Sequence, residues 1–394
     1  MSRGQPRTQY ERTYVLLPPG AGEEWPIAAL HATWENHRYT VGGSADDAGI
    51  GDLDVRRVIA VNPHLWSGSI EDFFNAHYPG VQVTSVQAET PDALIAALTD
   101  EQQPPPPQSN TYTLRGVHDR AGADWLRSEN LPGWCLIPVY LNTSAQDLQL
   151  WKYAEAGIRT LVNLRYSYAV DDGGRGTMPP PMHLSAFESA CIETMRTNPA
   201  AWGFVYCNEM NNQREWPAGC SLTPGYYLDS YNRVWAAKPD GARLLPGAID
   251  PYNPGWGNWR EGWHEVLRLL YGCDGLAWHA YTHGPDPALI WHDKRFGDDP
   301  LTGVFYDLRV LESQQAVIPD KLKDKPQIVT ECNHFVRHDG ETGWEADSGQ
   351  WVTEAYRYFA GRGVAGVCLF RFNHNDWRFG NLPAVLCALR NLTP

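Results

Sequence analysis

Two glutamates stand where short apolar runs end. The first closes GFVYCNE, residues 203–209, and is followed by Met210, Asn211 and Asn212; the second closes PQIVTE, residues 326–331. A carboxylate at the end of a buried strand is costly unless it is paired or used. Two such groups facing one another are the machinery of glycoside hydrolysis. One is held protonated as the acid and the other stays ionised, and a separation of about 5–5.5 Å gives the retaining outcome. Either glutamate alone could be a salt-bridge partner; the two together, with an amide at Asn208 and the aromatic histidine segment His279-Ala280-Tyr281, point to chemistry. Partial desolvation of Glu209 would then let it carry a proton near neutral pH.

These residues need a frame that aims them at one point. After residue 110, apolar strand candidates alternate with helical stretches: 113–117, 135–140, 160–164, 203–207, 243–245, 275–279, 327–330 and 366–370. Between them lie segments such as HLSAFESACIETMR, GYYLDSYNRVWAA and GQWVTEAYRYFAGRG, and PAVLCALRNL closes the chain. Eight strand–helix pairs over about 280 residues predict a (β/α)8 barrel, whose chemistry sits at the C-terminal strand ends. A doubly wound open sheet is the rival, but Gly116-Val117-His118-Asp119 is not the glycine-rich turn such a fold uses. At the expected strand ends stand His118-Asp119-Arg120, Arg165, Asn208-Glu209, His279 to His283, Glu331, and the segment from Arg371 to Trp377. Glu209 on strand four and Glu331 on strand seven would face each other across the barrel mouth. Strands two and five look plainer.

The arrangement resembles the clan A glycoside hydrolases, retaining (β/α)8 enzymes that include cellulase-like and β-galactosidase-like families. The resemblance spans residues 111–394 and rests on Asn208-Glu209, on His279-Ala280-Tyr281 and on Glu331. It implies that Glu209 is the general acid/base and Glu331 the nucleophile. It also implies that Asn208 binds the sugar 2-hydroxyl, that Tyr281 orients the nucleophile and that His279 flanks the leaving-group side. Phe370-Arg371-Phe372 stand where clan members commonly keep a tryptophan, which leaves Trp377 to fold back as a subsite floor. Arg165 or Arg120 would stand in for an arginine that many members keep near strand two.

Other residues carry weaker signals. His118 and Asp119 could bind a sugar hydroxyl or form a structural pair. Trp216, Trp256 and Trp259 lie in Gly/Pro-rich loops and are candidates for stacking on sugar rings. His334, His338, Asp339, His374 and Asp376 could suggest a metal, but no HxH or HExxH spacing is present, so no metal and no organic cofactor are expected. No GxSxG elbow argues for a serine esterase. The chain has 17 tryptophans in 394 residues, 14 of them after residue 110, which is about three times ordinary usage. They either pack a large aromatic core or form sugar platforms.

EQQPPPPQSN, residues 101–110, reads as a stiff extended linker. Residues 1–100 before it read as a small three-layer α/β unit. Strands are expected at 14–17, 58–61 and 81–86, with helices at 25–36, 70–77 and 91–98. This unit has no phosphate-binding motif and is a candidate for binding another module or a cell-wall component. A net charge of −14 without a basic cluster argues against nucleic acid, and no run of 18 apolar residues exists to cross a membrane. The N-terminal MSRGQPRTQYERTY does not read as a secretory signal. Eight cysteines, all beyond residue 130 and none in a CxxC pair, read as buried free thiols. Free thiols favour a reducing interior, and a polysaccharide substrate the outside. The expected function is a retaining glycosidase acting on a poly- or oligosaccharide. The alternatives are a non-catalytic carbohydrate-binding barrel, a lysin-type cell-wall glycosidase and, different in class, a metal-dependent barrel hydrolase.

Overall fold

The computed structural model of the chain describes residues 12–33, 39–44, 55–78, 81–102, 114–167, 176–338, 340–344, 346–374 and 377–392. The chain divides into two compact units, residues 1–106 and 107–394. Of the linker 101–110, only Glu101 and Gln102 are described, as the end of a helix; residues 103–110 lie outside the described residues.

The first unit is a four-stranded parallel sheet of β1 (Arg12–Leu16), β2 (Tyr39–Gly42), β3 (Val55–Val61) and β4 (Gln82–Val86), in the order β2-β1-β3-β4. Period-two alternation divides its apolar residues between two cores. Tyr14, Leu16, Val58 and Ala60 pack on Phe74 of α2 (Ile70–His77). Val15, Ile59 and Val61 pack on Ala28 of α1 (Glu24–Thr33) and Leu94 of α3 (Pro91–Gln102). The sequence reading has no strand at β2, a four-residue element beside a segment outside the described residues.

The second unit is an eight-stranded parallel, nearly closed barrel. Its strands are β5 (Gly116–His118), β6 (Gly133–Tyr140), β7 (Ile158–Arg165), β8 (Gly203–Tyr206), β9 (Leu244–Pro246), β10 (Leu276–Thr282), β11 (Gln327–His338) and β13 (Val364–Leu369). The sheet runs β10-β11-β13-β5-β6-β7-β8-β9. A short strand, β12 (Gly340–Gly343), turns back antiparallel on β11. Among the described residues no ladder joins β9 to β10. The seam is held by Asp274, whose backbone N–H donates to Leu244 O at 3.0 Å and whose Oδ2 accepts from Leu244 N at 2.9 Å.

Helices α4 (Arg120–Ser128), α5 (Trp151–Glu155), α6 (Leu184–Thr197), α7 (Pro224–Ala237), α8 (Trp259–Leu269), α9 (Val310–Gln315), α10 (Gly349–Ala360) and α11 (Pro383–Asn391) surround it. Their apolar stripes meet the outward strand residues in one large core. Trp134, Leu136, Leu161, Val205, Leu245, Ala277, Ile328 and Cys368 form a separate cluster that plugs the barrel interior. Above that plug, at the C-terminal strand ends, the inward positions turn polar. Trp259, Trp263, Trp278 and Trp351 are fully buried, so much of the tryptophan excess is core packing. All eight cysteines are free, and six of them are buried.

One irregularity positions a glutamate. Val329 pairs with Trp278, but Glu331 pairs with His279, so Thr330 is an extra residue in β11. Ile328 belongs to the interior plug and Val329 to the outer core. Strict alternation would turn Glu331 outward with Val329. The bulge reverses the phase and brings Glu331 to the inner face beside His279.

Candidate active site

Glu331 is 4% exposed at the barrel mouth. Its Oε2 accepts from the Tyr281 hydroxyl at 2.8 Å and its Oε1 accepts from an Arg165 Nη at 3.1 Å. His118 Nε2 and His279 Nε2 stand 3.6 and 3.8 Å from Oε1, beyond hydrogen-bond length. Burial alone would push this carboxyl up; the positive charges and donors around it, with His279 and His118 ahead of Arg165, hold it well below the usual carboxylate range. Arg165 is fixed in turn by Asn163 Oδ1, and Asn163 Nδ2 donates to Cys207 O at 2.7 Å and Val205 O at 3.2 Å.

Glu209 arrives from the other side on an unusual backbone. Cys207 has φ 66° and Glu209 φ 46°, both left-handed. These are conformations that L-residues hold only under outside constraint. Glu209 N–H donates to Ala248 O at 2.7 Å, and Asn212 N–H donates back to Glu209 O at 2.7 Å. The Glu209 side chain lies between His279 Nδ1, 2.8 Å from Oε1, and Asn212 Nδ2, 3.3 Å from Oε2. One carboxylate oxygen of Glu209, one of Glu331 and a ring nitrogen of His279 lie within 4.8 Å of one another. Burial opposes a charge on His279, yet Glu331 and Glu209 raise its pKa above the ordinary histidine value. At His118 burial outweighs the nearby Glu331 carboxylate and lowers the imidazole to about 4, so it is neutral at pH 7.

Six residues singled out in the sequence therefore converge: Glu209, Glu331, His279, Tyr281, Arg165 and His118. Asn208 is buried beside them, its backbone N–H donating to Thr177 Oγ1. Arg120 does not join; it donates to Leu148 O at 3.1 Å, which leaves Arg165 as the arginine of the site. Asp119 does not join either, and it does not pair with His118. Its Oδ1 caps α4 through Gly122 N at 3.1 Å and its Oδ2 accepts from Asn373 N at 2.9 Å. Trp377 folds back, its ring 5.4 Å from Phe370 and 6.4 Å from Phe335, which meets Tyr281 edge-on at 5.7 Å.

The loop tryptophans are built into the fold. Trp256 donates to Leu222 O at 2.7 Å and packs 6.3 Å from Trp263; Trp259 is fully buried and donates to Pro251 O at 3.0 Å. Trp216 is half-buried and donates to Met210 O at 2.7 Å. His334 is buried between Trp344 and Trp351 with Nε2 2.9 Å from Ser348 Oγ, a structural setting. Asp339 and Asp376 lie outside the described residues, as does the side chain of His338.

The sequence reading missed Asp250, Tyr252 and Glu215. Glu215 lies in the loop after β8, and burial pushes its carboxyl up to about 7 despite the Arg165 charge. Nothing in its local sequence distinguishes it from a solvated loop glutamate.

Neither a protein-family model nor a curated protein matches the sequence. Among solved structures, a glucosidase from Croceicoccus marinus matches over 74% of this chain and 70% of its own, at 13% identity and a TM-score of 0.49. Gas2p of Saccharomyces cerevisiae, in complex with laminaritetraose and laminaripentaose, matches over 72% of this chain and 64% of its own, at 9% identity and a TM-score of 0.41. A GH128 (subgroup I) endo-β-1,3-glucanase from Amycolatopsis mediterranei matches over 71% of this chain and 100% of its own, at 14% identity and a TM-score of 0.41. The chemistry of the site rests on its own geometry.

Proposed function

We propose that the barrel is a retaining glycoside hydrolase acting on a poly- or oligosaccharide, with Glu331 as nucleophile and Glu209 as general acid/base. The observation that carries this reading is the pair of carboxylates from β8 and β11. They approach within 4.8 Å and have different hydrogen-bond partners, Tyr281 and Arg165 for Glu331, His279 and Asn212 for Glu209. Glu331 is held ionised by Arg165, Tyr281 and His279, as a nucleophile must be. Glu209 stands with Oε1 2.8 Å from His279 Nδ1, on the opposite side of the imidazole from Glu331. The spacing suits direct attack rather than an interposed water.

In the first step Glu331 attacks the anomeric carbon while the glycosidic C–O bond breaks and Glu209 gives its proton to the leaving oxygen. In the second step Glu209 takes a proton from water, the water oxygen bonds to the anomeric carbon, and the ester to Glu331 breaks. Asn208 binds the 2-hydroxyl, where a hydrogen bond strengthens as positive charge develops on the ring. Tyr281 and Arg165 keep the attacking carboxylate oriented, and Trp377 with Phe370 forms an apolar wall beside them.

The test is turnover of aryl glycosides by wild type, Glu331→Gln and Glu209→Gln, with and without azide. Glu331→Gln is expected to be inactive. Glu209→Gln is expected to lose roughly 10²–10⁴-fold on poor leaving groups, to keep activity on activated ones and to be accelerated by azide. A protein that binds polysaccharides but cuts none would instead be a carbohydrate-binding barrel. Activity confined to peptidoglycan would make it a lysin-type glycosidase.

A second reading has its own observation: Glu209, His279 and Glu331 present three ligand atoms close enough to hold one divalent cation. Two contacts weigh against it. His279 Nδ1 is already at hydrogen-bond distance from Glu209, and Arg165 supplies the positive charge at Glu331. Activity abolished by a chelator and restored by a divalent metal would favour this reading over the glycosidase.

A further inference from the structure

Behind the two carboxylates runs an unbroken series of contacts that passes through the loop after β9. Asn212 Nδ2 donates to Glu209 Oε2 at 3.3 Å and to Asp250 Oδ2 at 3.1 Å. Asn212 Oδ1 accepts from Arg214 N and from Asn253 Nδ2, both at 3.0 Å. Both amide hydrogens and the carbonyl oxygen are thus engaged. A flipped amide would point its carbonyl at two carboxylates, so the orientation is fixed by the network. Asp250 Oδ1 accepts from Tyr252 N at 2.9 Å. The Tyr252 hydroxyl donates to Tyr281 O at 3.1 Å and accepts from Tyr281 N at 3.2 Å, and Tyr281 donates to Glu331. The chain reads Glu209–Asn212–Asp250–Tyr252–Tyr281–Glu331.

From this geometry we infer that the loop after β9, through Asp250 and Tyr252, together with Asn212, is a positioning element that fixes Glu209 and Glu331 relative to each other. The inference rests on the glycosidase reading and adds to it three positioning residues, of which Asn212 alone contacts a catalytic carboxylate and Asp250 and Tyr252 act through their neighbours. Glu209 needs such an element because its backbone is left-handed without being glycine. Asn212 holds it twice, by the backbone N–H on Glu209 O and by the side chain on Oε2. Asn211 provides the contrast. Its amide donates to Asp250 O at 2.7 Å and Asn253 O at 3.0 Å, and it accepts from Asp250 N at 2.8 Å, so it secures the same loop without touching Glu209.

The experiment compares kcat/KM for a 2,4-dinitrophenyl glycoside and the matching unsubstituted phenyl glycoside in wild type, Asn212→Ala, Asn212→Asp, Tyr252→Phe and Asn211→Ala. Thermal midpoints are measured alongside. A misplaced acid matters only when the leaving group needs a proton. Asn212→Ala is therefore expected to lose about 10–100-fold on the phenyl substrate and less than about 3-fold on the dinitrophenyl one. Asn212→Asp keeps the side-chain shape but sets an acceptor against two carboxylates. Its phenyl activity is expected to fall further at pH 7 and to recover as the pH drops and the new carboxyl becomes a donor. Tyr252→Phe loosens Tyr281 and is expected to slow both substrates by one factor.

Asn211→Ala reports general loosening of the loop, with loss parallel to the fall in melting temperature and no leaving-group selectivity. The inference is overturned if Asn212→Ala and Asn212→Asp show only that same non-selective loss, while wild type cleaves both substrates and Glu331→Gln cleaves neither. A wild type that cuts no glycoside overturns the glycosidase reading and this inference with it.

Discussion

The charge on Glu331 is maintained by its neighbours against burial, and that balance is open to test one residue at a time. Removing the Arg165 guanidinium takes away a positive charge 3.1 Å from Oε1, so the carboxyl becomes easier to protonate. If the ionised form is the nucleophile, Arg165→Met is expected to move the acid limb of kcat/KM to higher pH, with the limb's midpoint the quantity to measure. A midpoint that stays or moves down would mean that Glu331 does not set that limb. Tyr281→Phe removes one hydrogen bond to a charged group, worth about 1.5–3 kcal/mol, and is expected to lower kcat/KM by roughly 10–100-fold. Residues that carry their own chemical signature were legible in the sequence at this scale: Glu209, Glu331, His279 and Tyr281. Asp250 and Glu215 were not, because an aspartate or glutamate in a loop acquires meaning only from what the fold sets opposite it.

At the scale of elements, the eight barrel strands could be read because short, largely apolar runs alternate with longer helical stretches. What could not be read is phase. Counting by twos from Ile328 and Val329 puts Glu331 on the helix-facing side, and only the extra residue at Thr330, visible in the pairing with β10, turns it inward. The same limit applies to the end of β11, which runs on to His338 and pairs with β12 where the sequence suggested a stop at residue 330. Strand five looked plain because its contribution is its backbone path and the loop behind it. Gly247, just past β9, shows how tight that path is. A Cβ there would stand 2.5 Å from Tyr206 O and 2.7 Å from Cys207 O, at the turn that carries Asn208 and Glu209. Gly247→Ala must push the ends of β8 and β9 apart. It is expected to destabilise the barrel by about 1–3 kcal/mol and to lower turnover more than the melting temperature alone would account for. Wild-type turnover at a temperature where the variant is folded would show that the approach of these strands does not position Glu209.

For the whole molecule, the partition of the apolar residues makes a prediction about unfolding. Among the described residues, the cores around β1 and β3 draw on residues up to Leu98 and the barrel cores on residues from Leu114 onward. Units with separate cores are expected to melt separately, and a buried histidine identifies which transition is the barrel's. His334 is fully buried among aromatic rings, and burial lowers its pKa to about 4. An unfolded histidine takes up its proton near pH 6.5, so between about 6.5 and 4 the unfolded chain binds more protons than the folded one. Stability therefore falls as the pH is lowered through that window, by up to roughly 3 kcal/mol for this group. His118, also held to about 4, acts in the same direction, while Glu215, pushed up to about 7, and His279, raised by its carboxylate neighbours, act in the opposite one, so the contribution of His334 is read as a difference between proteins. Calorimetry of wild type and His334→Gln at pH 7 and pH 4.5 is expected to show two transitions. His334→Gln keeps a donor near Ser348 but removes the titrating ring, so acidification should be less destabilising to one transition in the variant than in wild type, with the other transition the same in both. A single transition that moves as one in both proteins would mean that the two units unfold together and that the separation of their cores does not extend to their stability.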